Sequence, residues 1–438
     1  MTLAGLMVLG PACMGDGERE DGARSEAHTA PEQTAPAPQR PPVDVQVTAD
    51  LGAEPRRAAS MSGFLHGLAP SPPPADRVRA LRPSLWRSIP ARAPYARATG
   101  FGARYQLVLS DLWGYPPTSW NRHGPPWRDL DGWAALVQRT ARAFRGRAMQ
   151  WDVWNEPDNP DFWNGTREQF LRVYDVAERA LVSELGDDVE VGGPSTTKPR
   201  PEWLGGLLRH CRTAGCRVSF LSFHANLQPY EPIPLVGRQV RGARRLAGRF
   251  GVRRVQVNES VGPADQYRPG EILGYLHHLE GAGADAAARS CWPDLGGSDN
   301  CSNATLGGLL TPAGEPRSAW WAYRLYAAGV DRRVPSRSDS PAVVALADAG
   351  GTVLLARLDR ARDGQSGALE VQLTVTGLGS AVRADVRVDL LPDAGEAPLP
   401  EPLPASLEAP VTVSSGRATV RVGALRPHEA LAVTVIRR

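Results

Sequence analysis

The chain has 438 residues, 42% of them hydrophobic and 22% charged, with a formal net charge of +3. That is long enough for two or three domains with a large core, and too balanced for wholesale disorder. It holds no run of eighteen apolar residues of the kind a membrane-crossing helix needs, and no basic cluster with interleaved aromatics to suggest a nucleic-acid partner. Of 50 basic residues only Lys198 is lysine, a composition bias rather than a phosphate-binding design, whereas half of the 12 tryptophans lie between Trp113 and Trp154.

Residues 2–12 (TLAGLMVLGPA) are apolar, Cys13 follows, and the stretch from Met14 to Pro42 is polar and then Pro-rich. The order reads as an export segment, a cysteine and a flexible tether over 1–42. It resembles a bacterial lipoprotein signal, which implies an exported protein held at a membrane only through a lipidated Cys13. No basic residue precedes the apolar run, and a cleaved signal is the alternative. The other cysteines, Cys211, Cys216, Cys291 and Cys301, form short-spaced pairs that suit disulfides in an oxidising compartment. The simplest pairing is 211–216 with 291–301, among three connectivities. No C-x-x-C supports a metal site, so no metal is expected.

Residues 43–58 carry one alternating piece, Asp44–Thr48, that can add a strand to a later sheet. From 59 to 330 short apolar strands alternate with helical stretches. Candidate strands are Gly63–Leu68, Leu85–Ile89, Arg104–Leu109, Gln150–Trp154, Val189–Gly192, Phe220–His224, Arg254–Asn258 and Ala287–Trp292. Between the third and fourth, Trp133, Leu136, Val137 and Thr140 recur at helical spacing. Between the fourth and fifth, Phe170, Tyr174, Ala177 and Leu181 do the same. Eight strands over roughly 270 residues predict a (β/α)8 barrel; a doubly wound sheet would want a G-x-G-x-x-G turn after its first strand, which is missing. From 331 to 438 the period changes to two, as in Leu369/Val371/Leu373/Val375 and Leu431/Val433/Val435. This predicts a C-terminal antiparallel β-sandwich that braces the barrel.

The chemistry is expected where barrel strands end. Trp151-Asp152-Val153-Trp154-Asn155-Glu156-Pro157 runs a buried strand into an acid and a strand-stopping proline. Val255-Gln256-Val257-Asn258-Glu259 ends a second strand in an acid. The 103 positions between Glu156 and Glu259 span three strand–helix units, which puts the acids on strands four and seven. Two carboxylates across a barrel mouth suit glycosidic cleavage, one protonating the leaving oxygen while the other attacks or activates water. Taken alone, either glutamate also reads as a solvated strand-end residue.

The stretches VWNEPDNPDFWNGTREQFLRVYDVAERAL (153–181), VGGPS (191–195), FLSFHA (220–225) and VNES (257–260) resemble glycoside hydrolase family 39, the β-xylosidases and α-L-iduronidases. The resemblance is strongest from about 150 to 292. It implies a retaining double displacement with Glu156 as acid/base and Glu259 as nucleophile, Asn155 bonding the sugar 2-hydroxyl, His224 ending strand six, and no cofactor. Three departures bear on the sugar more than on the reaction. Asn258 stands where the family usually has Thr, His224-Ala225-Asn226 where H-A-Y is frequent, and Cys291-Trp292-Pro293-Asp294 where the last loop is usually rich in aromatics.

Other candidates follow from residue type. His224 can donate to the sugar or to Glu259, and Arg87 can steady an ionised nucleophile. Trp292 can stack on a pyranose face. Trp113, Trp120 and Trp127 line the cleft or pack the rim, and Asp111 and His123 share their stretch. His277-His278 reads as helix surface, and Asn164-Gly165-Thr166 and Asn303-Ala304-Thr305 are glycosylation sequons. The expectation is an exported retaining glycoside hydrolase, exo-acting and β-xylosidase-like, on a carbohydrate substrate. An endo-acting glycanase of the same clan and a non-catalytic carbohydrate-binding surface protein are the alternatives.

Overall fold

The structure, a computed structural model, describes residues 43–68, 73–89, 91–114, 124–358 and 367–438, without the side chains of 406–409. The export segment with Cys13, and also Trp120 and His123, lie outside the described residues.

The first strand, β1 (Val45–Asp50), does not belong to the barrel. Eight strands then close into one: β2 (Gly63–Leu65), β3 (Leu85–Ser88), β4 (Arg104–Val108), β5 (Gln150–Asp152), β6 (Glu190–Thr196), β7 (Phe220–Ala225), β8 (Val255–Ser260) and β9 (Ala286–Arg289). All are parallel, and Phe64 opposite Arg289 shuts the ring. These are the eight expected strands with adjusted ends. The fourth stops at Asp152, and the last at Arg289, so Trp292 sits in the following loop.

Helices wrap the barrel, among them the two read from their apolar spacing. They are α1 (Ala75–Arg79), α2 (Arg92–Gly100), α3 (Ser110–Trp113), α4 (Leu130–Ala143), α5 (Arg167–Leu185), α6 (Pro201–Ala214), α7 (Pro234–Gly248), α8 (Pro269–Gly281) and α9 (Ser318–Gly329). In α5 a capping box fixes the start, with the Thr166 hydroxyl accepting from the Gln169 N–H and the Gln169 side chain accepting from the Thr166 N–H. Two orphan donors are thereby satisfied. Phe170, Val173, Tyr174, Ala177 and Leu181 of that helix are buried. Both disulfides form, Cys211–Cys216 and Cys291–Cys301.

The C-terminal region stacks two sheets. Strands β10 (Arg333–Val334), β12 (Val343–Asp348), β13 (Thr352–Arg357), β15 (Arg383–Leu391), β16 (Leu403–Thr412) and β18 (Ala430–Arg437) make one sheet. Strands β11 (Ser336–Ser338), β14 (Leu369–Thr376) and β17 (Ala418–Leu425) make the other together with β1, which runs parallel to β14. β12 and β13 lack the in–out alternation of the later strands because both of their faces are covered. Val343, Ala345, Val353 and Leu355 enter the sandwich core, while Val344, Leu346, Leu354 and Ala356 join the barrel core. Gly270 in α8 lets the two regions touch, since a Cβ there would stand 2.3 Å from the Arg357 carbonyl oxygen. His277 and His278 on α8 are half-buried rather than surface residues, His277 beside Ala345 of the sandwich and His278 against α7 at Gly237. Burial, compounded by the neighbouring His277, pushes His278 down to about 3.

Candidate active site

The barrel interior is polar where a barrel is usually apolar. Gln106, Gln150 and Gln256 bond to one another through their side-chain amides. Two positions further along their strands stand Asp152 and Asn258, both fully buried. Asp152 accepts from Ser195 Oγ at 2.8 Å, from Asn258 Nδ2 at 3.0 Å and from Arg87 Nε at 2.9 Å. A buried ion is tolerable only when paired and hydrogen-bonded, and here both conditions hold.

Arg87, at 1% exposure, carries this network up to the mouth. Its Nη2 donates to Asn155 Oδ1 at 2.8 Å and its Nη1 to Glu259 Oε1 at 2.7 Å. Burial disfavours the guanidinium charge, but Asp152 first and Glu259 next outweigh it and hold the group charged. With Oδ1 taken by Arg87, the Asn155 amide keeps its N–H groups for another acceptor.

Glu156 sits at φ +45°, in the left-handed region that non-glycine residues rarely adopt, between Asn155 and Pro157. Its N–H donates to the Ser195 carbonyl at 3.0 Å, which anchors the turn to the next strand. Its carboxylate accepts from His224 Nδ1 at 2.8 Å and from Asn159 Nδ2 at 2.7 Å. Burial raises this carboxyl, yet the His224 bond and charge, Asn159 and Arg87 overcome it and keep it below the ordinary range. His224 is wholly buried. Its Nδ1 donates to Glu156 and lies 3.6 Å from Glu259 Oε2.

Oxygens of Glu156 and Glu259 and a nitrogen of His224 all lie within 4.8 Å of one another. The two carboxylates are 13% and 14% exposed, open enough to be reached. Around them, Asn226 Nδ2 approaches Glu259 Oε2 at 3.3 Å. At the end of the first barrel strand, His66 bonds Ser88 and faces Asp111; burial pushes the His66 imidazole down despite Asp111.

Of the residues singled out in the sequence, Glu156, Glu259, Asn155, His224 and Arg87 are thus brought together. Trp113 is not: it is buried in a stack with Trp133, and its indole N–H donates to the Gly124 carbonyl. Trp127 packs on Trp163. Trp292 is half-buried beyond β9, its Nε1 donating to the Val261 carbonyl at 2.8 Å, near the end of the seventh barrel strand. Asp152, Ser195, Asn159, Ser290 and His66 complete the site and were not singled out, and Asn226, noted only as a departure from the family pattern, joins them. The available signal was polar residues at alternate positions of otherwise apolar strands, as in Gln150/Asp152, Ser222/His224 and Gln256/Asn258.

Residues 118–254 match the sequence model of glycosyl hydrolases family 39. A β-xylosidase of Geobacillus stearothermophilus is 31% identical over 114 residues, covering 25% of this chain and 21% of that protein. Human α-L-iduronidase is 32% identical over 134 residues, covering 25% and 20%. The chain therefore spans about a fifth of the length of the curated relatives it matches. The solved structure of N2152 from Neocallimastix frontalis superposes with a TM-score of 0.71 at 18% identity, covering 90% of this chain and all of that one, a likeness of fold. The family match and the two kinds of relative support family 39 for this barrel.

Proposed function

We propose, from the premise that the chain is a member of glycosyl hydrolases family 39, that it is a retaining glycoside hydrolase. The observation that carries the reading is the close, unlike pair of carboxylates at the barrel mouth. Their oxygens come within 4.8 Å, and retaining enzymes keep their carboxyl groups about 5–5.5 Å apart, with no room for a water between the second carboxylate and the anomeric carbon. Glu259, paired with buried Arg87, attacks the anomeric carbon. The bond to the leaving oxygen breaks, and that oxygen takes the proton of Glu156. Water, deprotonated by Glu156, then attacks the anomeric carbon and releases Glu259. In the resting protein Glu156 favours the ionised form. Binding of substrate, by expelling water and presenting the leaving oxygen, raises its proton affinity at the moment a proton is needed. The free Asn155 amide suits a sugar hydroxyl beside the anomeric carbon.

The preferred substrate is a neutral, β-xyloside-like glycoside cleaved from the chain end. Among the described residues, Arg87 is committed to Asp152 and Glu259, Lys198 to Glu231, and Arg200 to Asp158, so a uronide carboxylate would have to displace one of these partners to use them.

The test is p-nitrophenol release from a panel of aryl glycosides, pentosides and uronides included. Glu259→Ala abolishes turnover, and Glu156→Ala with azide yields a glycosyl azide of retained configuration. Wild-type turnover by Glu259→Ala, or an azide product of inverted configuration, overturns the mechanism; a uronide preference overturns the substrate.

A further inference from the structure

The two oxygens of Glu259 are held unequally. Oε1 is tied to the Arg87 guanidinium at 2.7 Å. Among the described residues, Oε2 has only Asn226 Nδ2 at 3.3 Å and His224 Nδ1 at 3.6 Å, and it lies on the Glu156 side of the carboxylate, since the same His224 nitrogen bonds Glu156. Oε2 therefore retains the lone pair available for attack. What fixes its direction is an amide whose own orientation is dictated. Ser290 Oγ donates to Asn226 Oδ1 at 2.7 Å. Ser290 is 1% exposed, and its backbone N–H is bound to the Ser260 carbonyl. With the amide reversed, Oδ1 would oppose the carboxylate, acceptor against acceptor, so the N–H must face Glu259. The sixth strand's end (Asn226) and the eighth's (Ser290) thus clamp the nucleophile of the seventh. Asn226 is also one of the departures from the family's frequent H-A-Y, so the clamp belongs to this chain.

We propose that Asn226, locked by Ser290, is the positioning residue that aims Oε2 of Glu259 at the anomeric carbon. This rests on Glu259 being the nucleophile. As the Oε2–carbon bond forms, the carbon–leaving-oxygen bond breaks and its electron pair takes the Glu156 proton. Oε2 then becomes an ester oxygen, a poor acceptor, and the long Asn226 bond is surrendered at little cost. An amide does this without introducing a charge.

Three variants test the clamp. Asn226→Ala lowers kcat for glycosylation about tenfold to a hundredfold, the range for losing a hydrogen bond to an ion, with KM changed much less. Ser290→Ala acts in the same direction but more weakly, and adds nothing in the Asn226→Ala background, because its effect passes through Asn226. Asn226→Asp keeps the shape and the Ser290 bond but sets a like charge beside Glu259, so the acidic limb of the pH profile moves to higher pH. The other titratable groups facing Glu259 are Arg87, Glu156, His224 and His66, and none is altered. Additive effects of Asn226→Ala and Ser290→Ala, or an unmoved acidic limb in Asn226→Asp, overturn the proposal. The Glu259 carboxyl is also followed by carbon-13 NMR, assigned by its loss in Glu259→Gln. That titration moves upward in Asn226→Asp even if no glycoside is turned over, which separates failure of the clamp from failure of the glycosidase reading.

Discussion

Asn159 offers a sharp test of how Glu156 is kept ionised in the resting protein. The Asn159 amide donates to Glu156 Oε2 at 2.7 Å, a charge-assisted bond on a carboxylate that is 13% exposed. Such bonds contribute about 1.5–3 kcal/mol, and about 1.4 kcal/mol is a factor of ten. The bond favours the ionised form, so Asn159→Ala makes Glu156 a weaker acid. In a profile of kcat/KM against pH, the basic limb reports loss of the Glu156 proton in the free enzyme. That limb moves to higher pH, and at a fixed pH on its falling side the variant retains about tenfold more of its own plateau activity than the wild type. The plateau itself falls, because Asn159 also orients the carboxyl. The limb is assigned by its disappearance in Glu156→Ala assayed with an activated aryl glycoside and azide. A limb that stays in place, or moves to lower pH, refutes the account of Glu156.

Asp152→Asn leaves Arg87 buried with half of its ionic pairing, which costs stability on the order of 3 kcal/mol and misplaces Glu259; urea unfolding and kcat/KM both report it, and an unchanged midpoint would refute the structural role. Gly270→Ala forces a Cβ to 2.3 Å from the Arg357 carbonyl oxygen and 2.8 Å from that of Glu429. A loss of about 1–3 kcal/mol is expected in thermal unfolding, with the catalytic constants unchanged. His278 has its proton affinity lowered on folding, from an ordinary 6.5 to about 3. Its contribution is therefore intact above pH 6.5 and lost as the pH falls below it. His278→Gln makes the melting temperature less dependent on pH in that acidic window, and an unaltered dependence would count against burial of the ring.

The barrel was legible because its signals are local: short apolar strands, helical stripes and polar strand ends. Strand ends were less so. The last strand was read through Cys291 and Trp292 because apolar character alone does not mark where pairing stops. β12 and β13 escaped notice because alternation is a sign of one wet face, and these strands have none. The two glutamates announce themselves through the N-E-P turn and the three-unit spacing. Asn226 and Ser290 are 64 positions apart and meet only because their strands flank β8. Trp113 shows the converse: a tryptophan in a loop-rich stretch looks like a sugar platform until it is seen buried, edge-on against Trp133.

The parallel pairing of β1 with β14 has a consequence for the making of the protein. Val47 lies opposite Ser338 and Val45 opposite Val371, so a strand synthesised early finds its partners 291 and 326 residues later. At about 5–20 residues per second, that is roughly 15–65 s during which β1 emerges and waits. The barrel, complete by Arg289, can collapse in the interval, while β1 stays an unpaired edge outside it. The nascent chain thus carries a sticky, orphaned ribbon for most of its translation. A ribosome stalled before residue 336 would expose a species prone to pair with its neighbours on the same message.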